Sequence, residues 1–253
     1  MLAEQRYEKI LKNLEQNKSV TVAELTKLLN TSESTIRRDL NALDKAGKLV
    51  KVFGGAVSAG LEIVSEEPSV EQKEKLCYEE KQSIGRYAAS LVKPGDFIYL
   101  DAGTTTGAMI GFLEEKGITV VTNAVGHARS LAASGIRVIL IGGELKGRTE
   151  AVVGSQAVAG IQKYHFTKGF FGTNGVSRQG GYSTPDAEEA VVKETAFSRC
   201  QKRYVLCDHT KFGHTSLVSF GELEEGILLT DSEADGTLEG CTEIRRIPGN
   251  WEG

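Results

Sequence analysis

The sequence predicts an N-terminal winged helix-turn-helix joined to an α/β domain with a mostly parallel sheet. Three observations predict it. Three short helical patterns and a Gly-Gly hairpin fill the first 57 residues. A stretch rich in Gly, Ser, Pro and acids follows. From Glu71 onward β-rich runs alternate with helical ones, the signature of parallel strands covered on both faces.

The first helix is read from Tyr7, Ile10, Leu11 and Leu14, which recur at helical spacing. Thr21 stands three residues before Glu24, a capping-box pattern opening the second helix. After an Asn-Thr-Ser turn, Ser32 is placed to cap a third helix that ends near Gly47. "KLVKVFGGAV" then reads as a strand, a turn at Gly54 and Gly55, and a return strand.

The third helix, "SESTIRRDLNAL", carries the information. At about 100° per residue, Ile36, Leu40 and Leu43 form one narrow apolar stripe. Ser34, Arg38, Asn41 and Lys45 fall opposite, with Thr35 and Arg37 on the flanks. Asp39 borders the stripe and is placed to anchor a neighbouring arginine or helix. Such a helix enters a DNA major groove: Arg38 and Asn41 are placed for base edges, and Ser34, Thr35 and Arg37 for phosphates, with Ser32 at the cap and Lys51 in the wing. The alternative is an ordinary solvated face. Residues 1–57 hold 10 Lys+Arg against 7 Asp+Glu, whereas the whole chain is −4, so the basic excess is confined to this module.

Resemblance adds to this reading. Arg6, Ile10, Leu14, Ser32, Thr35, Ile36, Arg37, Arg38, Asp39 and Leu40 are similar, at the same spacings, to the signature of the DeoR family of bacterial repressors. That family usually carries an arginine and a histidine before Gly-Gly-Ala in the wing, where this chain has Lys51 and Phe53.

With 253 residues and 40% hydrophobic content, the chain has room for one further domain with a substantial core. No run approaches the roughly 20 apolar residues of a membrane span, and the first residues do not read as a signal peptide, so a soluble cytoplasmic protein is expected. Cys77, Cys200, Cys207 and Cys241 lack paired spacing, and the four histidines do not cluster with them. Neither a zinc site nor a disulfide framework is expected, and no cofactor. The expected divisions are 1–57, a linker at 58–70, and 71–253.

In the larger domain the expected strands are "PGDFIYLD", "ITVVTN", "RVILIGG", "KGFFGTNG", "RYVLCD" and "GILLT", after a helix through "KQSIGRYAASLV". Ligands of such sheets collect at the carboxyl ends of strands. "LDAGTTTG" places Asp101, Gly103 and the threonines Thr104, Thr105 and Thr106 between a strand and a helix start, a pattern suited to an anion. It lacks the P-loop lysine and the Gly-x-Gly-x-x-Gly pattern, which argues against nucleotide triphosphates and dinucleotides. Asn123, Gly142, Gly143, Asn174 and Asp208, with Lys211 beyond it, close other strands. In "YSTPDAEEAVVK", Pro185 suits a first turn, and Asp186, Glu189 and Lys193 are expected on one helix face. Each has a plain alternative: a helix cap, a turn, or an i, i+4 ion pair.

From about Glu79 to Leu223 the chain also resembles the DeoR-family effector domain, which is related to ribose-5-phosphate isomerase and binds phosphorylated sugars. "LDAGTTT", "GTNGV", "TPDAEEA" and "KFG" are similar in wording and order to members that control fructose operons. The resemblance implies a repressor of sugar utilisation that binds operator DNA as a homodimer or homotetramer and is released by a ketose phosphate such as fructose 1-phosphate. It assigns phosphate to Gly103, Thr104, Thr105, Thr106 and Lys211, and sugar hydroxyls to Asp101, Asn123, Asn174, Asp186, Glu189 and Lys193, with Lys146 and Arg148 nearby. An isomerase with Asp186 or Glu189 as base and Lys193 stabilising an enediolate is the rival, and a ligand-free assembly domain a third possibility.

Overall fold

In the computed structural model the chain divides into two units, Met1–Val64 and Ser65–Gly253, and residues 3–17, 19–52, 55–58, 69–114, 117–231, 238–248 and 251 are described. Most of the expected linker, residues 59–68, and Phe53 and Gly54 of the expected wing turn lie outside the described residues.

The first unit runs α1 (Ala3–Asn17), β1 (Ser19–Thr21), α2 (Val22–Leu29), α3 (Glu33–Lys45), β2 (Leu49–Val52) and β3 (Gly55–Ser58). The helical stripes converge on one core. Ile10 and Leu14 of α1, Leu25 and Leu29 of α2, and Ile36, Leu40 and Leu43 of α3 are all buried in it, together with Leu49 and Ala56 from the strands. Each such leucine or isoleucine contributes about 1.5–3 kcal/mol by leaving water. The caps form as the sequence indicates. Glu24 N donates to Thr21 Oγ1 at 3.1 Å and Thr21 N to Glu24 Oε2 at 2.7 Å, while Thr35 N donates to Ser32 Oγ at 3.3 Å. One element departs from expectation: β1 pairs antiparallel with β3, so the wing sheet has the order β1-β3-β2. Three residues, Ser19–Thr21, are too short for an alternating pattern to be read.

The second unit contains α4 (Val70–Lys75), α5 (Tyr78–Ser90), β4 (Phe97–Leu100), α6 (Thr104–Gly107), β5 (Thr119–Thr122), α7 (Val125–Ala133), β6 (Arg137–Leu140), β7 (Glu144–Leu145), β8 (Val152–Val153), α8 (Ser155–Ile161), β9 (Phe166–Gly172), β10 (Gly175–Ser177), β11 (Gly181–Thr184), α9 (Ala187–Ser198), β12 (Cys200–Leu206), β13 (Val218–Gly221), β14 (Ile227–Thr230) and β15 (Glu243–Arg246). A parallel sheet of order β15-β14-β12-β9-β4-β5-β6 is its frame. Alternate residues of its strands enter opposite cores, as a sheet covered on both faces requires. Ile98, Leu100, Val120 and Phe170 pack with Ile84 and Ala88 of α5. Tyr99, Val121, Phe171 and Val205 pack with Ala157 and Ile161 of α8 and Ala190 and Phe197 of α9.

All six expected strands are present. The edge strand β15, the antiparallel sheet β10-β11-β13 and the β7-β8 hairpin are additions. What positions the site is the strand order. The chain steps outward from β4 through β5 to β6, then returns to β4's other side as β9 and steps away through β12 and β14. The direction therefore reverses between β4 and β9, and such switch points leave a crevice beyond the strands' carboxyl ends.

Candidate functional site

In the first unit, α3 buries its apolar stripe and leaves Ser32, Ser34, Arg37, Arg38 and Asn41 exposed, with Thr35 partly so. Asp39 is 2% exposed and faces the other way. Its two oxygens accept from Arg6 of α1, Nε to Oδ2 at 2.6 Å and Nη2 to Oδ1 at 2.9 Å, so the acid locks the helix to its neighbour. Arg37 reaches Glu33 at 3.4 Å across exposed helix surface, a weak tether. The wing meets α3 directly. Lys51 Nζ donates to Asn41 Oδ1 at 2.6 Å and Lys51 N to Asp44 Oδ1 at 2.8 Å. Asn41 and Lys51 thus hold each other as well as facing solvent, which spacing along the chain does not reveal.

In the second unit, Asp101 closes β4 and Gly172 closes β9, the two strands of the switch point. Lys193, reaching in from α9, donates to Asp101 Oδ2 and to the Gly172 carbonyl at 3.2 Å. Both charged side chains are buried. Burial pushes the Asp101 carboxyl up, and Lys193 only partly pulls it back. Oδ2 also accepts from Gly172 N at 3.1 Å, whereas Oδ1 is buried without a partner.

The start of α9 is built differently from the sequence expectation. Asp186 does not share a helix face with Glu189 and Lys193. It is the N-cap, its Oδ1 accepting from Glu188 N and Glu189 N at 3.0 Å each, and Pro185 precedes the cap instead of opening the first turn. Burial works to raise the Asp186 carboxyl, but Lys146 and those amides outweigh it and hold it below the usual range. Lys146 pairs with Asp186 and also with Glu188 at 2.9 Å. Thr149, on the same β7–β8 connection and unremarkable in the sequence, donates to Glu189 Oε1 at 2.6 Å. The connection is thereby fastened to the head of α9. Arg148 is exposed on it, and its carbonyl accepts from Val70 N.

Three expected ligand side chains are engaged in hydrogen bonds that hold the fold. Thr106 is fully buried and its hydroxyl donates to the carbonyls of Asp101 and Gly103 at 2.8 and 2.9 Å, closing the turn. Asn123 accepts from Ala102 N at 3.1 Å and donates to the Val152 carbonyl at 3.3 Å, bracing the loop from β5. Asp208 is 1% exposed and caps the turn of residues 209–211, accepting from Thr210 N at 3.1 Å, with Lys211 Nζ 3.9 Å away. Gly143 lies where a Cβ would come within 2.5 Å of the Val153 carbonyl, so it permits the β7-β8 pairing, while Gly142 stands in open space. Asn174 is half-buried after β9, its Oδ1 accepting from Thr184 at 3.2 Å.

Beside the loop after β4 lies a cavity of about 710 Å³ whose wall includes Lys81, Gly103, Thr104, His127, Arg129 and Thr149. It meets the expected anion loop at Gly103 and Thr104 only; the Asp101–Lys193 pair is not on its wall. Lys81 is 6% exposed and donates to the Lys73 carbonyl. Burial lowers its pKa, and Asp208 opposes that. A signal for it exists in the sequence: Lys81 stands at i of the i, i+3, i+7 stripe that continues in Ile84 and Ala88, a cation on a core-facing helix surface.

Residues 76–232 match the model of the DeoR C terminal sensor domain, and residues 6–60 that of the DeoR-like helix-turn-helix domain. The chain belongs to the DeoR family. This DeoR-family protein is 40% identical over 96% of both chains to the "uncharacterized HTH-type transcriptional regulator FruR" of Bacillus subtilis (strain 168). It is 32% identical to the lactose phosphotransferase system repressor of Streptococcus mutans serotype c, over 98% of this chain and 99% of that one. Ribose 5-phosphate isomerase A of Methanocaldococcus jannaschii is similar in coordinates over 52% of this chain and 53% of its own, at 16% identity and TM-score 0.40, too distant to carry any residue across. Membership of a family of transcription regulators removes the isomerase reading of Asp186, Glu189 and Lys193. No helix among the described residues is long and apolar enough to cross a membrane.

Proposed function

We propose that this DeoR-family regulator represses a sugar-utilisation operon, that of fructose, and leaves its operator when a phosphorylated sugar such as fructose 1-phosphate binds the second unit. The observation that carries the reading is the pairing in one chain of an exposed arginine- and hydroxyl-bearing helix, α3, with polar groups, Asp101 and Lys193 among them, gathered at the carboxyl ends of the strands that flank a parallel-sheet switch point. The kinship with a regulator named FruR supports fructose as the sugar.

In this reading Arg38 and Asn41 meet base edges while Ser32, Ser34, Thr35, Arg37 and Lys51 meet the backbone. The phosphate sits on the amides of Gly103, Thr104 and Thr105 and on the Thr105 hydroxyl, with Lys211 as counter-charge. Glu189, Asp186 and Asn174 take sugar hydroxyls, and Asp101 with Lys193 fixes the floor. Ligand binding switches nothing unless the two arrangements of the regulator differ in affinity for it, and a coupling of about 1–3 kcal/mol is typical. A two-fold operator calls for at least a dimer, so a homodimer or homotetramer is the working assembly.

The test is a gel shift with DNA from upstream of the chain's own operon, repeated with individual sugar phosphates. Release by fructose 1-phosphate at concentrations where glucose 6-phosphate is inert supports the reading. Retention on DNA with every sugar phosphate, together with calorimetric silence, refutes the effector half and leaves an assembly domain.

A further inference from the structure

His127 is the third residue of α7 and part of the cavity wall beside Gly103 and Thr104. Its Nε2 edge lies against Gly107, where a Cβ would come within 2.9 Å, so only glycine at 107 leaves the ring its place. Burial lowers the ring's pKa to about 4 and so keeps it neutral, the Gly103 backbone acting more weakly in the opposite direction. A neutral imidazole carries one N–H and one bare nitrogen. With the proton on Nε2, the side of the ring toward Gly107, Nδ1 can only accept.

Nδ1 is buried and has no hydrogen-bond partner. Buried polar atoms in native folds are almost always satisfied, and an exception calls for an explanation. Here the orphan belongs to a ring on a cavity wall that also displays Gly103 and Thr104, the amides to which the proposed function assigns a phosphate. What the orphan lacks is a donor, and a sugar hydroxyl is one.

Resting on that effector reading, we propose that His127 is a specificity residue of the sensor site, its bare Nδ1 accepting a hydrogen bond from a hydroxyl of a sugar phosphate anchored at Gly103–Thr105. For this contact to form, the ring must turn about Cβ–Cγ until Nδ1 meets the cavity. The ligand class is a polyol phosphate with a free hydroxyl close to the phosphate-bearing carbon. An anion that offers no hydroxyl gains nothing from this residue.

The test is calorimetry on the full chain and its His127→Leu and His127→Asn variants, with fructose 1-phosphate, fructose 6-phosphate and propyl phosphate as probes. The last keeps the phosphate and lacks the hydroxyls. The expected result is a tenfold or greater loss in His127→Leu for whichever sugar phosphate the parent binds, with propyl phosphate changed less than twofold. His127→Asn, whose amide oxygen falls near the Nδ1 position, recovers most of the loss. Equal sugar-phosphate affinity in parent and His127→Leu overturns the inference alone, and so does an equal loss for propyl phosphate, which marks a merely structural role. A parent chain that binds no sugar phosphate overturns the effector reading and this inference with it. Should His127→Leu fail to fold, the side-chain ¹⁵N resonance of His127 Nδ1 in the parent decides: it shifts on adding fructose 1-phosphate if the hydrogen bond forms, and an unmoved resonance in a ligand-bound sample rejects it.

Discussion

Arg6 and Asp39, 33 residues apart in the chain, meet in a two-pronged ion pair that ties α1 to the buried edge of α3. Asp39 lies between Arg38, which faces solvent, and Leu40, which is fully buried, so the pair fixes the rotation of α3 about its axis. Replacing Asp39 by Ala leaves Arg6 facing a hole, and the first unit is expected to melt at a visibly lower temperature. Arg6→Met should do more harm than Asp39→Ala, because it strands an almost fully buried carboxylate, whereas the Arg6 side chain is partly exposed and long enough to reach water. Thermal melts of both variants and the double variant check this, and additive losses would show that the two residues do not act as a pair.

Arg38 and Lys51 should fail differently. Arg38 is exposed on the face proposed to read bases, and Arg38→Ala should weaken specific operator binding by about 1–3 kcal/mol and relax preference at one base position. Lys51 already holds Asn41. Lys51→Ala should therefore free Asn41 to take other partners, lowering affinity across sequences and reducing the salt dependence by about one phosphate contact. Titrations against operator and scrambled DNA at several salt concentrations separate the two. Unchanged operator affinity in Arg38→Ala rejects its assignment.

Thr105, like Thr104 and unlike Thr106, does not use its hydroxyl to close the turn. If the loop holds a phosphate, Thr105→Ala loses one hydrogen bond to a charged group, about 1.5–3 kcal/mol, and raises the sugar phosphate needed for half-release from DNA by about 10- to 100-fold. DNA affinity without sugar phosphate should be unchanged. An unaltered dose response means the anion sits elsewhere.

The residues that were legible from sequence are those whose role is local. Ser32, Thr21 and Glu24 cap helices within three residues of themselves, and the stripe Ile36, Leu40, Leu43 is a matter of period alone. Asp39 was legible as an anchor because an acid at the border of an apolar stripe must find a cation. The contacts that the sequence does not show are those whose partners come from far along the chain. Asn123 braces Ala102 and Val152, Lys146 clasps Asp186 forty residues on, and Lys193 reaches Asp101 ninety-two residues back. Strand ends show which residues reach the crevice, but only the strand order shows which of them point at each other. Asp186 is expected on the helix face because Pro185 sets the expected start at residue 185, two residues before the helix begins at Ala187.

Gly85 exposes a dependence that no motif suggests. On α5, a Cβ at this position would approach the carbonyl carbon of Ala108 to 2.8 Å and Met109 N to 2.9 Å, backbone atoms that cannot swing aside. Gly85→Ala must therefore push α5 from the segment that follows the β4 loop. Overpacking of this kind costs about 1–3 kcal/mol, partly offset by the better helix propensity of alanine. The second unit should unfold at lower denaturant, and the response to sugar phosphate should weaken more than the binding of DNA. Equal stability of Gly85→Ala and parent in urea titrations would show that the helix moves freely, and that the loop is not held by this contact.

The buried imidazole of His127 gives the second unit a predictable acid sensitivity. Its folded pKa, about 4, lies below the ordinary value of 6.5, so the unfolded chain binds the proton more tightly. Stability from this group is fully present above pH 6.5 and is lost as pH falls from there through about 4. Between pH 7 and pH 5 the loss from this one residue amounts to about 2 kcal/mol. His127→Gln has no proton to gain over that interval, so it should be less stable than the parent at pH 7 yet show a flatter profile down to pH 5. Carboxylates titrate in both chains and cancel in the comparison. Urea unfolding at half-unit pH steps supplies the measurement, and parallel profiles for parent and variant would place the His127 proton in contact with water in the folded chain.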